Sequence, residues 1–320
     1  MTQTAWHPGP GGQGAPPRLT PSAQRTLDEL LMVSATRPYA PPGLVDELAA
    51  TLASGTAAAL SRWGATRLWV TKSELESVLR CESAYVDRRA QTGPRTTTLA
   101  AVVGDVSHRA IQMASTHPGR PVLDYVQGAI DALQESDEVT ALFLSALPLA
   151  GQSDLVTTSV SRVASYLDSW PPLHPSWTPR FEESVQVRVG PHLTLAGRAD
   201  LVLGRPKGNG LQTMVVVDFK TGALKDSHQD EAMYYALLFS LRHGIPPFRS
   251  LIYSFASGTW TAPDVTAPLL RAAATRVVVG VNALVDVLTD TRAATEGPGD
   301  WCSYCPLKET CPSAQPPERR

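Results

Sequence analysis

Cysteine is scarce: the 320-residue chain has four, and three of them fall within residues 302–311, too few and too crowded for a secreted disulfide framework. A metal is the better account of that crowding. Charge of one sign is missing as well, since 28 basic residues face 30 acidic ones for a formal net charge of −2. Such neutrality excludes a basic field over the whole molecule and leaves any nucleic-acid contact to local patches. No apolar run approaches the ~20 residues that cross a bilayer, and the first residues lack a basic-then-apolar leader pattern, so no membrane contact and a cytoplasmic location are expected. There is no internal repeat and no helicase motor motif. What is present, 43% hydrophobic residues, suffices for a sizeable core.

Residues 1–25 carry Gly and Pro without periodicity and read as a flexible tail, followed by a helical segment over 26–67 with patches near 27–35 and 44–60. Residues 68–312 read as one domain, and 313–320 as a second tail. Ser73-Glu74-Leu75-Glu76 has the form of a capping box, opening a helix that runs past Cys81 and Tyr85 to about Arg89. Arg80, Arg88 and Arg89 on it suit either phosphates or a solvated face. A helix over 98–113 stacks Gly104 and His108 on one face, about 6 Å apart along the axis. The glycine admits a close neighbour, and the histidine is either a hydrogen-bonded core residue or a ligand. Helical patterns at 122–147 and 154–167 stop at the Pro-rich stretch 171–179. From residue 180 the period changes to two, giving strands at 181–189, 193–203 and 213–220 of a mostly antiparallel meander. A helix over 226–243, a strand at 249–256 and a closing helix over 269–288 follow.

The stretch Met214-Val-Val-Val-Asp-Phe-Lys-Thr-Gly222 is the centre of this pattern. Its valines fill a buried strand, and charge appears where the strand ends. Alternation puts Asp218 and Lys220 on one side and turns Phe219 into the core. The Gly/Pro-rich turn at 204–210 returns the chain antiparallel, which brings Asp200 beside Asp218. Two carboxylates and a lysine at a sheet edge suit a hard divalent cation, which activates a water and stabilises charge on a phosphate. A strand-end salt bridge is the plain alternative. On the next helix Glu231 and Tyr235 share a face.

Cys302, Cys305 and Cys311 form a C-x2-C-x5-C array, and Cys81 completes four sulfur ligands from across the sequence. Soft thiolates select zinc or an iron-sulfur cluster, and spacing alone does not choose between them. Either would clip the first helix of the domain to the tail.

In this order the motifs resemble the RecB-like branch of the PD-(D/E)XK nucleases, in particular the iron-sulfur exonucleases of the CRISPR-associated Cas-four type and the nuclease domain of AddB. The resemblance covers about residues 68–312 and rests on the cysteine-bearing helix, Gly104 with His108, Asp200, Asp218-Phe219-Lys220, and the cysteine array. Glu231 stands where the family usually has glutamine in Gln-x-x-x-Tyr. The resemblance implies an α/β fold with a restriction-endonuclease-like core, a central mixed β-sheet flanked by helices. It implies a 4Fe-4S cluster on Cys81, Cys302, Cys305 and Cys311, joining an N-terminal helix to a C-terminal loop. It also implies Mg²⁺ or Mn²⁺ held by His108, Asp200, Asp218 and the Phe219 carbonyl. Lys220, Glu231 and Tyr235 complete the implied catalytic set. The expected activity is hydrolysis of DNA to 5′-phosphate products, with single-stranded ends as substrate and a helicase or integrase as candidate partner. A non-catalytic iron-sulfur DNA-binding or redox-sensing module on the same fold is the alternative.

Overall fold

The computed structural model describes residues 19–32, 37–91, 93 and 96–314. Most of the first expected tail and residues 315–320 of the second lie outside the described residues. In chain order the helices are α1 (Pro21–Leu31), α2 (Leu44–Trp63), α3 (Lys72–Arg80), α4 (Glu82–Ala90), α5 (Leu99–Thr116), α6 (Val122–Ser136), α7 (Glu138–Ala146), α8 (Leu149–Ser169), α9 (Ser227–His243) and α10 (Ala267–Leu288). The strands are β1 (Leu68–Thr71), β2 (Arg180–Val189), β3 (Leu193–Leu203), β4 (Val215–Lys220), β5 (Arg249–Ser254) and β6 (Thr259–Thr261).

These strands make one mixed sheet, in an α/β fold with helices on both faces. β2 pairs antiparallel with β3 along its length, and β3 offers its other edge to two strands in turn. Its first residues pair parallel with β1, ending at Thr71 opposite Ala196, and its last residues pair antiparallel with β4, from Val217 opposite Leu201. The carboxyl ends of β1 and β4 therefore meet head to head along that edge, and residues 197–200 between them have no strand partner there among the described residues. β4 continues parallel to β5, and β6 closes the edge.

Two cores sandwich the sheet. One packs α2, α3, α9 and α10 on Val70, Leu195, Val216 and Ile252; the other packs α5, α6 and α8 on Val217, Phe219, Leu251 and Tyr253. The alternation of β4 is regular, so Val216 and Phe219 face opposite cores. β3 is not regular: Leu193, Leu195 and Ala199 face the α9 side, whereas Leu201 and Leu203, of the same parity, face the α5 side. The inversion falls at Asp200. Opposite it on β2, Glu182 has a left-handed backbone with φ 52°, and the ladder skips it between Phe181 and Glu183. α10 is long and apolar enough to cross a membrane by length and composition, but it packs on α2, α3 and α9 and buries Leu270, Val277, Val281 and Leu284 there.

Local chemistry moved several expected boundaries. The capping box belongs to Thr71, not Ser73: the Thr71 hydroxyl accepts the Glu74 N–H at 3.2 Å and Glu74 accepts the Thr71 N–H at 3.1 Å. The last residue of β1 thus starts α3 without a loop. The expected helix through Cys81 is broken there, with Cys81 extended at φ −165° between α3 and α4. The run over 122–147 breaks at Asp137, whose carboxylate caps α7 through Val139 and Thr140. α1 begins at Pro21, inside the expected tail, because Thr20 caps it and proline suits its first turn.

Candidate active site

Where β1 and β4 meet, the side chains sort into two halves. On the α9 side, Asp218 and Lys220 share a face as alternation requires, with Lys220 Nζ 2.6 Å from Asp218 Oδ2. Lys220 Nζ is also 2.6 Å from Glu231 Oε2 on α9. Lys72, the first residue of α3, reaches the same pair, at 3.3 Å from Asp218 Oδ1 and 2.9 Å from Glu231 Oε2. Asp218 is 5% exposed, so these are charges held away from water. Burial alone would raise the Glu231 carboxyl, but Lys72 and Lys220 overcome it and hold its pKa down at about 2. Burial opposes the charge on Lys72 too, and Asp218 and Glu231 outweigh it and raise its pKa. Tyr235, one turn after Glu231, donates its hydroxyl to the Arg198 carbonyl at 2.8 Å, and Tyr234 donates to the Ala196 carbonyl at 3.0 Å. Tyr235 thereby satisfies backbone in the stretch of β3 that no strand pairs on this edge, and Tyr234 does so at its border.

On the α5 side, Asp200 accepts the Phe219 N–H on Oδ2 at 2.5 Å and faces His108 Nδ1 with Oδ1 at 3.3 Å. The His108 ring stands edge-on to Phe219 and Phe255, which fix its plane. Gly104, one turn before it, is what allows this approach: a Cβ there would press on the Thr221 methyl at 3.1 Å. Burial works against the imidazolium, but its hydrogen bond to Asp200 and the charges of Asp200, Glu182 and Asp218 prevail and raise the His108 pKa. Glu182 completes this half, its ligand atom and those of His108 and Asp200 lying within 4.8 Å of one another. Arg198 holds the Glu182 carboxylate at 2.8 Å, against a burial that raises its pKa. Hard oxygens and one imidazole converging in this way fit Mg²⁺ or Mn²⁺.

The structure thus brings Asp200, Asp218, Phe219, Lys220, Glu231, Tyr235 and His108 to one place. Lys72 and Glu182 join them without having been singled out in the sequence. Lys72 sits ahead of the expected cap and belongs to no motif; Glu182 reaches the site because strict alternation fails at its level. Gln229, the glutamine two residues before Glu231, is exposed.

A separate cavity gathers the four cysteines, Cys81 from the break between α3 and α4 and Cys302, Cys305 and Cys311 from the tail. The Cys81 sulfur accepts the Gly297 N–H and the Cys302 sulfur the Gly299 N–H, each at 3.4 Å. Amide donors on sulfur suit thiolates. Glu82, next to Cys81, takes Arg292 bidentately and the Thr295 N–H and hydroxyl. Arg292, and then Thr295, hold its carboxyl at about 2 against burial. Among the described residues no three of the sulfurs lie within 4.8 Å of one another.

A family model described as the PD-(D/E)XK nuclease superfamily matches residues 70–312, which takes in every side chain above. No curated protein matches the chain.

Proposed function

Because the chain belongs to the PD-(D/E)XK nuclease superfamily, we propose that it is a metal-dependent deoxyribonuclease, an exonuclease of the RecB-like iron-sulfur branch that works on single-stranded DNA ends. The observation that carries this reading is the convergence of His108, Glu182 and Asp200 next to the Asp218-Phe219-Lys220 triplet, with Asp200 accepting the Phe219 N–H and Lys220 on Asp218. A salt bridge at a strand end would need neither the second acid nor the imidazole.

His108, Asp200, Asp218 and the Phe219 carbonyl are the proposed ligands of Mg²⁺ or Mn²⁺. When bound, the cation supplies positive charge against the phosphodiester and lowers the pKa of a water. Asp200 is held in place by the Phe219 N–H, and His108 by the aromatic rings around it. Lys220 orients the attacking water or neutralises charge on the phosphate as it develops, and Glu231 and Tyr235 fix where Lys220 and β3 stand. The product carries a 5′-phosphate.

For the cysteines we propose a 4Fe-4S cluster. What supports it is the gathering of four thiols about one cavity, two of them accepting backbone N–H groups; the choice of iron over zinc rests on the resemblance to the iron-sulfur branch. The cluster's role is structural. DNA repair, recombination or CRISPR adaptation, with a helicase or integrase as partner, are the settings this activity serves.

The test is digestion of end-labelled single-stranded and duplex DNA by anaerobically purified protein with Mg²⁺ or Mn²⁺, beside Lys220→Ala. The parent is expected to shorten single strands from an end and the variant to leave them whole. A cluster-loaded parent that binds DNA but cuts no substrate would favour the non-catalytic module.

A further inference from the structure

Lys72 answers to no motif, yet its ammonium stands inside the catalytic site. Its side chain is 18% exposed. A buried ammonium costs several kcal/mol unless it is paired, so its position reflects its partners and not solubility. Lys220 uses the same two carboxylates. Lys72, Asp218, Lys220 and Glu231 therefore close a ring of alternating charge, two positive and two negative, with Lys72 also over the Tyr235 ring at 5.0 Å. While the ring is closed, both oxygens of Asp218 face lysines and Lys220 faces two carboxylates. A cation on Asp218 and a phosphate on Lys220 both require it to open.

We infer that Lys72 is a positioning residue: it keeps Glu231 when Asp218 turns to a divalent cation, which frees Lys220 for the phosphate, and in the resting site it competes with that cation for Asp218. The inference rests on the reading of this site as a divalent-metal nuclease. It has two consequences of opposite sign. Without the Lys72 charge, Asp218 loses a competitor and the site gains net negative charge, so the cation binds more tightly. Glu231 then has Lys220 alone and withholds it from the phosphate, so cleavage slows. Without the Glu231 charge, Lys72 settles on Asp218 and the cation binds more weakly. Removing both charges restores the balance. This also explains why glutamate is tolerated at position 231: Lys72 compensates its charge.

The experiment compares the parent with Lys72→Met, which keeps the aliphatic stem, with Glu231→Gln, and with the double variant. Mn²⁺ binding is read by calorimetry without DNA, cleavage on end-labelled single strands at saturating Mn²⁺, and folding by melting curves. Lys72→Met is expected to bind Mn²⁺ about fivefold more tightly and to cut at least roughly tenfold more slowly. Glu231→Gln is expected to bind Mn²⁺ about fivefold more weakly. The double variant should return to within about twofold of the parent's Mn²⁺ affinity and recover most of the cleavage lost by Lys72→Met. Lys72→Met binding that is unchanged or weaker, or losses that add in the double variant, would overturn the inference. If the affinities shift as expected but the parent cuts no DNA, the nuclease reading falls and the competition for Asp218 stands. If the parent cuts and the affinities do not move, the reverse holds. A parent that binds no Mn²⁺ overturns both.

Discussion

In the proposed catalytic site the polar side chains come from strands and helices packed on one sheet, and their charges are closed into ion pairs away from water. In the cysteine cavity they come from a break between two helices and from a turn-rich tail, joined by an amide-to-sulfur hydrogen bond between residues 216 apart in sequence. The first is braced by strands and helices of one sheet, whereas in the second turns supply little packing of their own. Chemistry and long-range closure are thus separated, and each should fail in its own way.

The largest expected effect sharpens this contrast from the cysteine side. Cys302→Ser, prepared anaerobically, should lower unfolding free energy by about 5 kcal/mol, the loop-closure entropy of a cross-link over this separation. Denaturant unfolding measures the loss, and the cleavage rate of the folded fraction in the cold should change less than about tenfold. A variant of unchanged stability that no longer cuts would abolish the distinction. From the side of the proposed catalytic site, Lys220→Ala should slow single-strand cleavage by about a thousandfold, roughly 4 kcal/mol of barrier, with the rate read on the folded fraction.

Smaller changes probe the borders of each region. Glu82→Gln removes the bidentate partner of Arg292 beside Cys81 and should cost about 2 kcal/mol, read by the same unfolding curves. Its pH dependence has a definite sign. The folded pKa of Glu82, about 2, lies below its unfolded value. Its contribution is therefore full above the ordinary carboxylate range and is lost as pH falls through that range towards 2. The parent should lose more stability than Glu82→Gln over that window. Least of all, Gly104→Ala presses on the Thr221 methyl at 3.1 Å and should lower cleavage a few-fold by shifting the turn after Lys220, with melting almost unchanged.

Much of the candidate site's arrangement was legible because its signals are local. The valine run ending in Asp218 and Lys220 reports strand, parity and edge together, and the turn at 204–210 forces Asp200 alongside. The glycine before His108 announced a close neighbour, which is Thr221. Lys72 was not legible because Thr71-x-x-Glu74 and Ser73-x-x-Glu76 are equally good capping patterns, and only the end of β1 selects the first. Glu182 was hidden by the assumption that a strand keeps its parity. A left-handed residue within β2 and the inversion in β3 break that rule at one level, and no residue type there signals it. Cys81 was assigned to the interior of a helix because nothing in its neighbours' propensities marks the break.

α3 begins at Lys72 and ends against Cys81, nine residues or about 14 Å of uninterrupted helix. One end carries an ammonium of the ion-pair ring and the other borders the cysteine cavity. A helix of about two and a half turns does not stretch, so an axial displacement of Cys81 arrives at Lys72 as a shift of similar size. α3 is in this sense a strut between two otherwise independent regions. The residual change in rate after loss of the cysteines measures its stiffness.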